Sequence, residues 1–209
     1  MYTAIELKEA KMKPKINDIT LDILREYYEY FLYSFIYTYT VISQGNRREI
    51  ELRFDIENFC HLLGIESIAR KAIKSSDLYN YRGKKGWDNI KNGLVDIKHL
   101  KSLNKKQFNN VKAKYVYFYL VPVLLDTPLG VNYDKNKVLT STRIECEILF
   151  YNAYNNAVIH LGLEKKTDKD YYIPRTFFVE KLGKRGLVDI YVDNQEKITV
   201  TKKERIIML

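Results

Sequence analysis

The spacing of apolar residues changes along this chain, and that change limits the fold more than any single motif. From Leu21 they recur at Leu24, Tyr28, Phe31, Leu32 and Phe35, the three- and four-residue steps of one helix face, with Asp18 or Thr20 as the candidate N-cap. Residues 36–43 (IYTYTVIS) and 48–54 (REIELRF) read instead as strands, joined across Gln44-Gly45-Asn46-Arg47 as a hairpin. Residues 55–64 (DIENFCHLLG) return to helical spacing, with Asp55 as the expected cap and Gly64 as the stop. Ile56, Phe59, Cys60 and Leu63 form the stripe of that helix, and His61 falls opposite it. Short helices are expected over 66–73, 87–91 and 95–102. A longer one follows over 105–125, with Phe108, Val111, Tyr115 and Phe118 as its seam and Pro122 kinking or ending it.

Beyond the turn-rich stretch 126–137 (DTPLGVNYDKNK), alternation takes over. Strands are expected over 143–150, 154–164, 171–180 and 197–201, with a weaker one over 187–192. In the second of these, Ala157, Ile159, Leu161 and Leu163 point inward, which leaves Val158, His160 and Gly162 on the opposite face. The expected architecture is therefore α+β, with an N-terminal helix and hairpin, a helical middle, and a C-terminal antiparallel sheet of about four strands. It is read as one domain over 1–209, mostly helical in 1–130 with the hairpin at about 36–54, and sheet in 131–209.

Charge is concentrated in one segment. Between Lys71 and Lys114 stand 12 Lys or Arg against three Asp, a net +9, which equals the formal charge of the whole 209-residue chain. The rest is neutral. A segment of this kind is a solvated lysine-rich surface or a polyanion site where phosphates displace counterions. Asn92, Asn104, Asn109 and Asn110, with Tyr79, Tyr81 and Trp87, interleave with the cations, which suits stacking on RNA. Trp87 reads first as a core anchor, and His99 as a surface residue.

No apolar run reaches the ~18 residues of a membrane span, and the N-terminal residues lack the apolar stretch of a signal peptide. The expected compartment is the cytoplasm, with no membrane partner. Cys60 and Cys146 read as reduced, buried thiols.

Most chemical signatures are missing: no Walker loop, no GxGxxG after a strand, no GxSxG elbow and no HExxH helix. No cofactor is expected. His61, His99 and His160 lack metal-ligand spacing with either cysteine, so neither a zinc site nor any other metal centre is expected. What remains is a set of histidines, a basic segment, and a sheet face bearing Arg175 or Thr176. RNA cleavage by its own 2′-hydroxyl needs such a set: a base for the 2′-OH proton, an acid for the leaving 5′-oxygen, and a cation for the crowded phosphorane. Histidine, with an unperturbed pKa of ~6.5, suits the first two tasks.

NFCHLLG (58–64) just after a hairpin, the helix FNNVKAKYVYFYLVPVLL (108–125) and IPRTFF (173–178) in a late strand carry a resemblance. Together they resemble the phage-associated barnase–EndoU–colicin–RelE-like nucleases, type-four group. The resemblance covers about 36–200 and implies helices followed by a four-stranded antiparallel sheet whose face holds RNA. It implies that His61, the basic residue of the long helix (Lys114), and Arg175 with Thr176 lie in the active site. His160 joins them on the strength of its place opposite the apolar face of its strand. The resemblance implies arginine at the helix position in many relatives, whereas lysine here gives up bidentate phosphate recognition.

The expected function is a metal-independent endoribonuclease of toxin or phage-defence type, producing a 2′,3′-cyclic phosphate. Its expected partners are RNA, with tRNA one candidate, bound through Lys98, Lys101, Lys105, Lys106 and Lys112, and an antitoxin or immunity partner. The alternatives are a non-catalytic nucleic-acid-binding module and a structural phage protein with a solvated basic face.

Overall fold

A computed structural model describes residues 1–138, 140–154, 156–181 and 189–208. The chain forms two compact units: 1–34 with 55–120, and 35–54 with 121–209.

The first unit is helical. Thr3 caps α1 (Ala4–Lys8) in a reciprocal capping box with Glu6, a short helix that apolar periodicity did not reveal. Thr20, the second of the two candidate caps, accepts from the Ile23 N–H and starts α2 (Leu21–Tyr28). The helix then widens into a π turn over Glu29–Tyr33, so its apolar stripe stops short of Phe35. Next come α3 (Asn58–Leu62), α4 (Ile65–Ala69), α5 (Gly83–Lys91), α6 (Ile97–Leu103) and α7 (Lys105–Tyr117). Asp96 caps α6 and Asn104 caps α7 through side-chain acceptors. Asp55 does not cap α3: that helix begins at Asn58, whose side-chain oxygen reaches back to the Asp55 N–H at 2.9 Å. Tyr28, Phe59, Trp87 and Phe118 form the aromatic centre, with Phe59 and Trp87 edge-to-face at 5.2 Å. Trp87, 4% exposed, is thus the core anchor its sequence context suggests.

The second unit is a closed barrel of seven strands: β1 (Phe35–Ser43), β2 (Asn46–Arg53), β3 (Leu129–Asn132), β4 (Ile148–Tyr154), β5 (Ala157–Lys165), β6 (Tyr172–Lys181) and β7 (Glu196–Ile207). Their order round the barrel is β1-β2-β6-β5-β4-β3-β7. This corrects the expected C-terminal sheet of four strands. The 36–54 hairpin belongs to the same sheet, because β7 pairs with β1 on one side and β3 on the other. Closure between β2 and β6 is parallel and rests on the Leu52–Tyr172 pair. Tyr37, Tyr39 and Val41 of β1 and Ile50 and Leu52 of β2 are buried, with Tyr39 against Phe150 at 5.2 Å. A flat sheet would leave that apolar face wet; closing the barrel covers it and removes the edges.

Other boundaries also moved. The Gln44-Gly45 turn has both residues at positive φ (48° and 79°), so the hairpin loop is two residues and not four. The long helix breaks at 118–120, and Pro122 sits in the first turn of α8 (Val121–Asp126), where its missing N–H costs nothing. The strand expected from residue 143 starts only at Ile148. Of the weak strand expected over 187–192, residues 187–188 lie outside the described residues and 190–192 form a turn.

Candidate functional site

In the first unit, α3 and α4 meet at Gly64, whose φ of +71° favours glycine; an added Cβ would also sit 3.1 Å from Val111 Cγ1. α3 buries Phe59, Cys60 and Leu62 and leaves His61 about half exposed, as its position opposite the stripe predicts. The tight turn brings Glu66 of α4 back toward His61, its Oε2 3.9 Å from the imidazole Nδ1. The same carboxylate takes Arg70 on Oε1 and is mostly buried, so its position is fixed from two sides. Glu66 was not singled out by the sequence, because its link to His61 depends on the reversal at Gly64. Cys60 beside it is an inert thiol: burial, aided by Glu66, pushes it up to about 12.

Lys114 of α7 donates from Nζ to the Leu62 carbonyl at 3.1 Å, one residue beyond His61. The structure therefore brings two of the expected site residues to the same short helix. Burial pulls the Lys114 ammonium down to about 8. A lysine tuned toward neutrality can exchange protons in the physiological range as well as offer positive charge.

That shift has a sign for stability. The unfolded chain holds the Lys114 proton up to about 10.5 and the folded one releases it near 8. Between these values the unfolded state binds more protons, so stability rises with pH. In urea unfolding of wild type and Lys114→Met, the wild-type stability relative to the variant is expected to grow by on the order of 3 kcal/mol from neutral to strongly alkaline pH. A difference that stays constant across that window would contradict the buried ammonium.

Lys98 and Lys101 on α6, and Lys105, Lys106 and Lys112 on α7, are all exposed. Among the described residues none of the five makes an ion pair. Lys112, two positions before Lys114, points to solvent while Lys114 is drawn inward.

The second unit carries the other expected site residues. His160 lies on the face opposite Ile159 and Leu161, as alternation predicts, but that face is not open. Asp189 and Tyr191 lie against it, and the ring is fully buried. His160 Nε2 bonds Asp189 Oδ2 at 2.7 Å, while the ring lies on Phe178 with centroids 4.3 Å apart and meets Tyr191 edge-on. A polymeric substrate cannot reach a histidine held this way. His160 joins the expected site from its place opposite the apolar face of its strand; the structure buries it under a residue 29 positions downstream, for which no local pattern gives notice.

Arg175 is half exposed, with its Nε 3.3 Å from Glu164 Oε2. It is the extra residue at a β-bulge: Gly162 pairs with Thr176, and Leu163 with Pro174. Gly162 permits this approach, since a Cβ there would lie 2.6 Å from Thr176 Cγ2. Thr176 is partly exposed beside it.

Among the described residues, no group of three or more His, Cys, Asp or Glu is arranged to hold a metal ion. Among them, too, no helix is long and apolar enough to cross a membrane. The family model for phage-Barnase-EndoU-ColicinE5/D-RelE like nuclease 4 matches residues 19–207. No curated protein and no solved structure matches the chain.

Proposed function

Because the chain belongs to the phage-Barnase-EndoU-ColicinE5/D-RelE like nuclease 4 family, we propose that this nuclease is a metal-independent endoribonuclease of toxin or phage-defence type. One observation carries the reading: an exposed His61 backed by the fixed carboxylate of Glu66, with the Lys114 ammonium on the next carbonyl. A carboxylate on the Nδ1 side favours the tautomer that leaves Nε2 for proton transfer.

In the proposed reaction a general base takes the 2′-OH proton, and the 2′-oxygen attacks phosphorus. The P–O5′ bond breaks, and a general acid protonates the departing 5′-oxygen, leaving a 2′,3′-cyclic phosphate and a 5′-hydroxyl. His61 carries one proton transfer. Lys114 serves the phosphorane charge or the second proton transfer; its lowered pKa suits the proton transfer, while at neutral pH it keeps most of its charge. The five exposed lysines of α6 and α7 hold the RNA backbone, and tRNA is the first substrate to try. An antitoxin or immunity protein would be the natural restraint on such an enzyme, and the cytoplasm its place of action.

The test is incubation of the purified protein with total RNA or tRNA in excess chelator. Fragments are expected from wild type and not from His61→Ala. Salt-dependent binding without fragments would assign the basic face to a non-catalytic module instead.

A further inference from the structure

In the basic segment, Tyr81 ends the 3₁₀ turn Ser75–Tyr81 and His99 lies in the first turn of α6. The Tyr81 hydroxyl and His99 Nε2 are 2.9 Å apart, and the two ring planes differ by 7°. The phenol oxygen lies in its own ring plane, and the imidazole nitrogen hydrogen-bonds in its own plane. A bond between them with parallel planes sets the rings side by side, which agrees with centroids as far apart as 5.9 Å. The overlapping pair His160–Phe178 shows the contrast, with centroids at 4.3 Å. Two hydrogen-bonded rings lying edge to edge in nearly one plane have the form of a base pair: a flat π surface wider than either ring.

We infer that Tyr81 and His99 together form a stacking platform for an unpaired nucleobase of bound RNA. Both residues are partly exposed, and Tyr79 beside them is 51% exposed. Cations suited to the flanking phosphates are close in sequence: Arg82 follows Tyr81, and Lys98 and Lys101 share α6 with His99, all three exposed. Trp87 is excluded from this role by its burial. The hydrogen bond fixes both rings before RNA arrives, so little ordering is lost on binding. Stacking reads a π face and not a base edge, so the platform selects single-stranded RNA with little sequence preference. The inference rests on RNA being the substrate and specifies the state in which it is held.

The test uses the full chain and a short single-stranded oligonucleotide with 2′-O-methyl sugars, which 2′-OH attack cannot cleave, carrying 2-aminopurine. Wild type is expected to quench the fluorescence and to bind the single strand in preference to its duplex. Tyr81→Leu and His99→Leu should each weaken binding roughly 5- to 100-fold and remove the quench without changing the salt slope. Lys98→Gln should lower the slope by about one and keep the quench. Tyr81→Phe, which keeps the ring, should keep most of the quench. Thermal melting checks that each variant is folded, and two separate leucine variants guard against one misfolding. Wild-type quenching and affinity in both leucine variants, or a preference for duplex, would overturn the platform. Cleavage of unmodified RNA in chelator is scored separately: cleavage without quenching sinks the platform alone, and quenching without cleavage leaves the platform and sinks the nuclease mechanism.

Discussion

His61→Ala is expected to lower RNA cleavage by about two to four orders of magnitude, the range for a lost proton-transfer group, with a melting temperature close to that of wild type. The two halves of that expectation have different origins. The stability half follows from exposure: the ring stands on the outer side of α3, while Phe59, Cys60 and Leu62 on the inner side hold the helix in place. The activity half follows from the carboxylate behind it. Glu66 is held by Arg70 and lies 3.9 Å from Nδ1. Glu66→Gln should therefore reduce cleavage by a smaller factor than His61→Ala, since the imidazole remains but loses its orienting charge. Gel assay of RNA fragments at matched folded concentration checks both. Equal activity in wild type and His61→Ala would remove α3 from the reaction.

His160→Leu is expected to do the reverse, costing stability and sparing chemistry. His160 is fully buried, bonds Asp189 at 2.7 Å and lies flat on Phe178. Asp189 in turn accepts the Tyr191 N–H on Oδ1, and its own carbonyl accepts from Val192 and Asp193, so one carboxylate ties the turn to the barrel. Removing one member of a buried charged or hydrogen-bonded pair costs about 3–5 kcal/mol, because the other is left desolvated. For a chain of this size that is a fall in melting temperature of roughly 10 °C. The double variant His160→Leu with Asp189→Leu should regain part of the loss, since no orphan remains. The cleavage rate per folded molecule should stay within a few fold of wild type. A His160→Leu protein that melts normally yet fails to cut RNA would return His160 to the active site.

The contrast between these two histidines shows where the sequence was legible. His61 could be placed because its exposure is decided within its own helix, by the angle between it and the Phe59–Cys60 stripe. His160 could be placed on the correct face, but whether that face was open depended on residues 189–192, remote in sequence and without a period of their own. The barrel followed the same division. Each half of the hairpin announced itself through alternation and a Gly turn. Its membership of the C-terminal sheet did not, because the second half of β7, over 201–205, is a polar run with all side chains but Lys202 exposed. β3 was hidden inside a stretch rich in turn formers, where Gly130 is required by the crossing of Val200 and Ile198 and not by a turn. Glu66, whose carboxylate lies 3.9 Å from His61 Nδ1, sits five positions away across a left-handed glycine, a spacing that no helical or strand template connects.

Analysis of product ends after digestion in excess chelator tests the mechanism most directly. Attack by the 2′-hydroxyl predicts a 2′,3′-cyclic phosphate on one fragment and a 5′-hydroxyl on the next, read as masses for each fragment. Fragments ending in 3′-hydroxyl and 5′-phosphate, or cleavage that disappears with the metal, would contradict it.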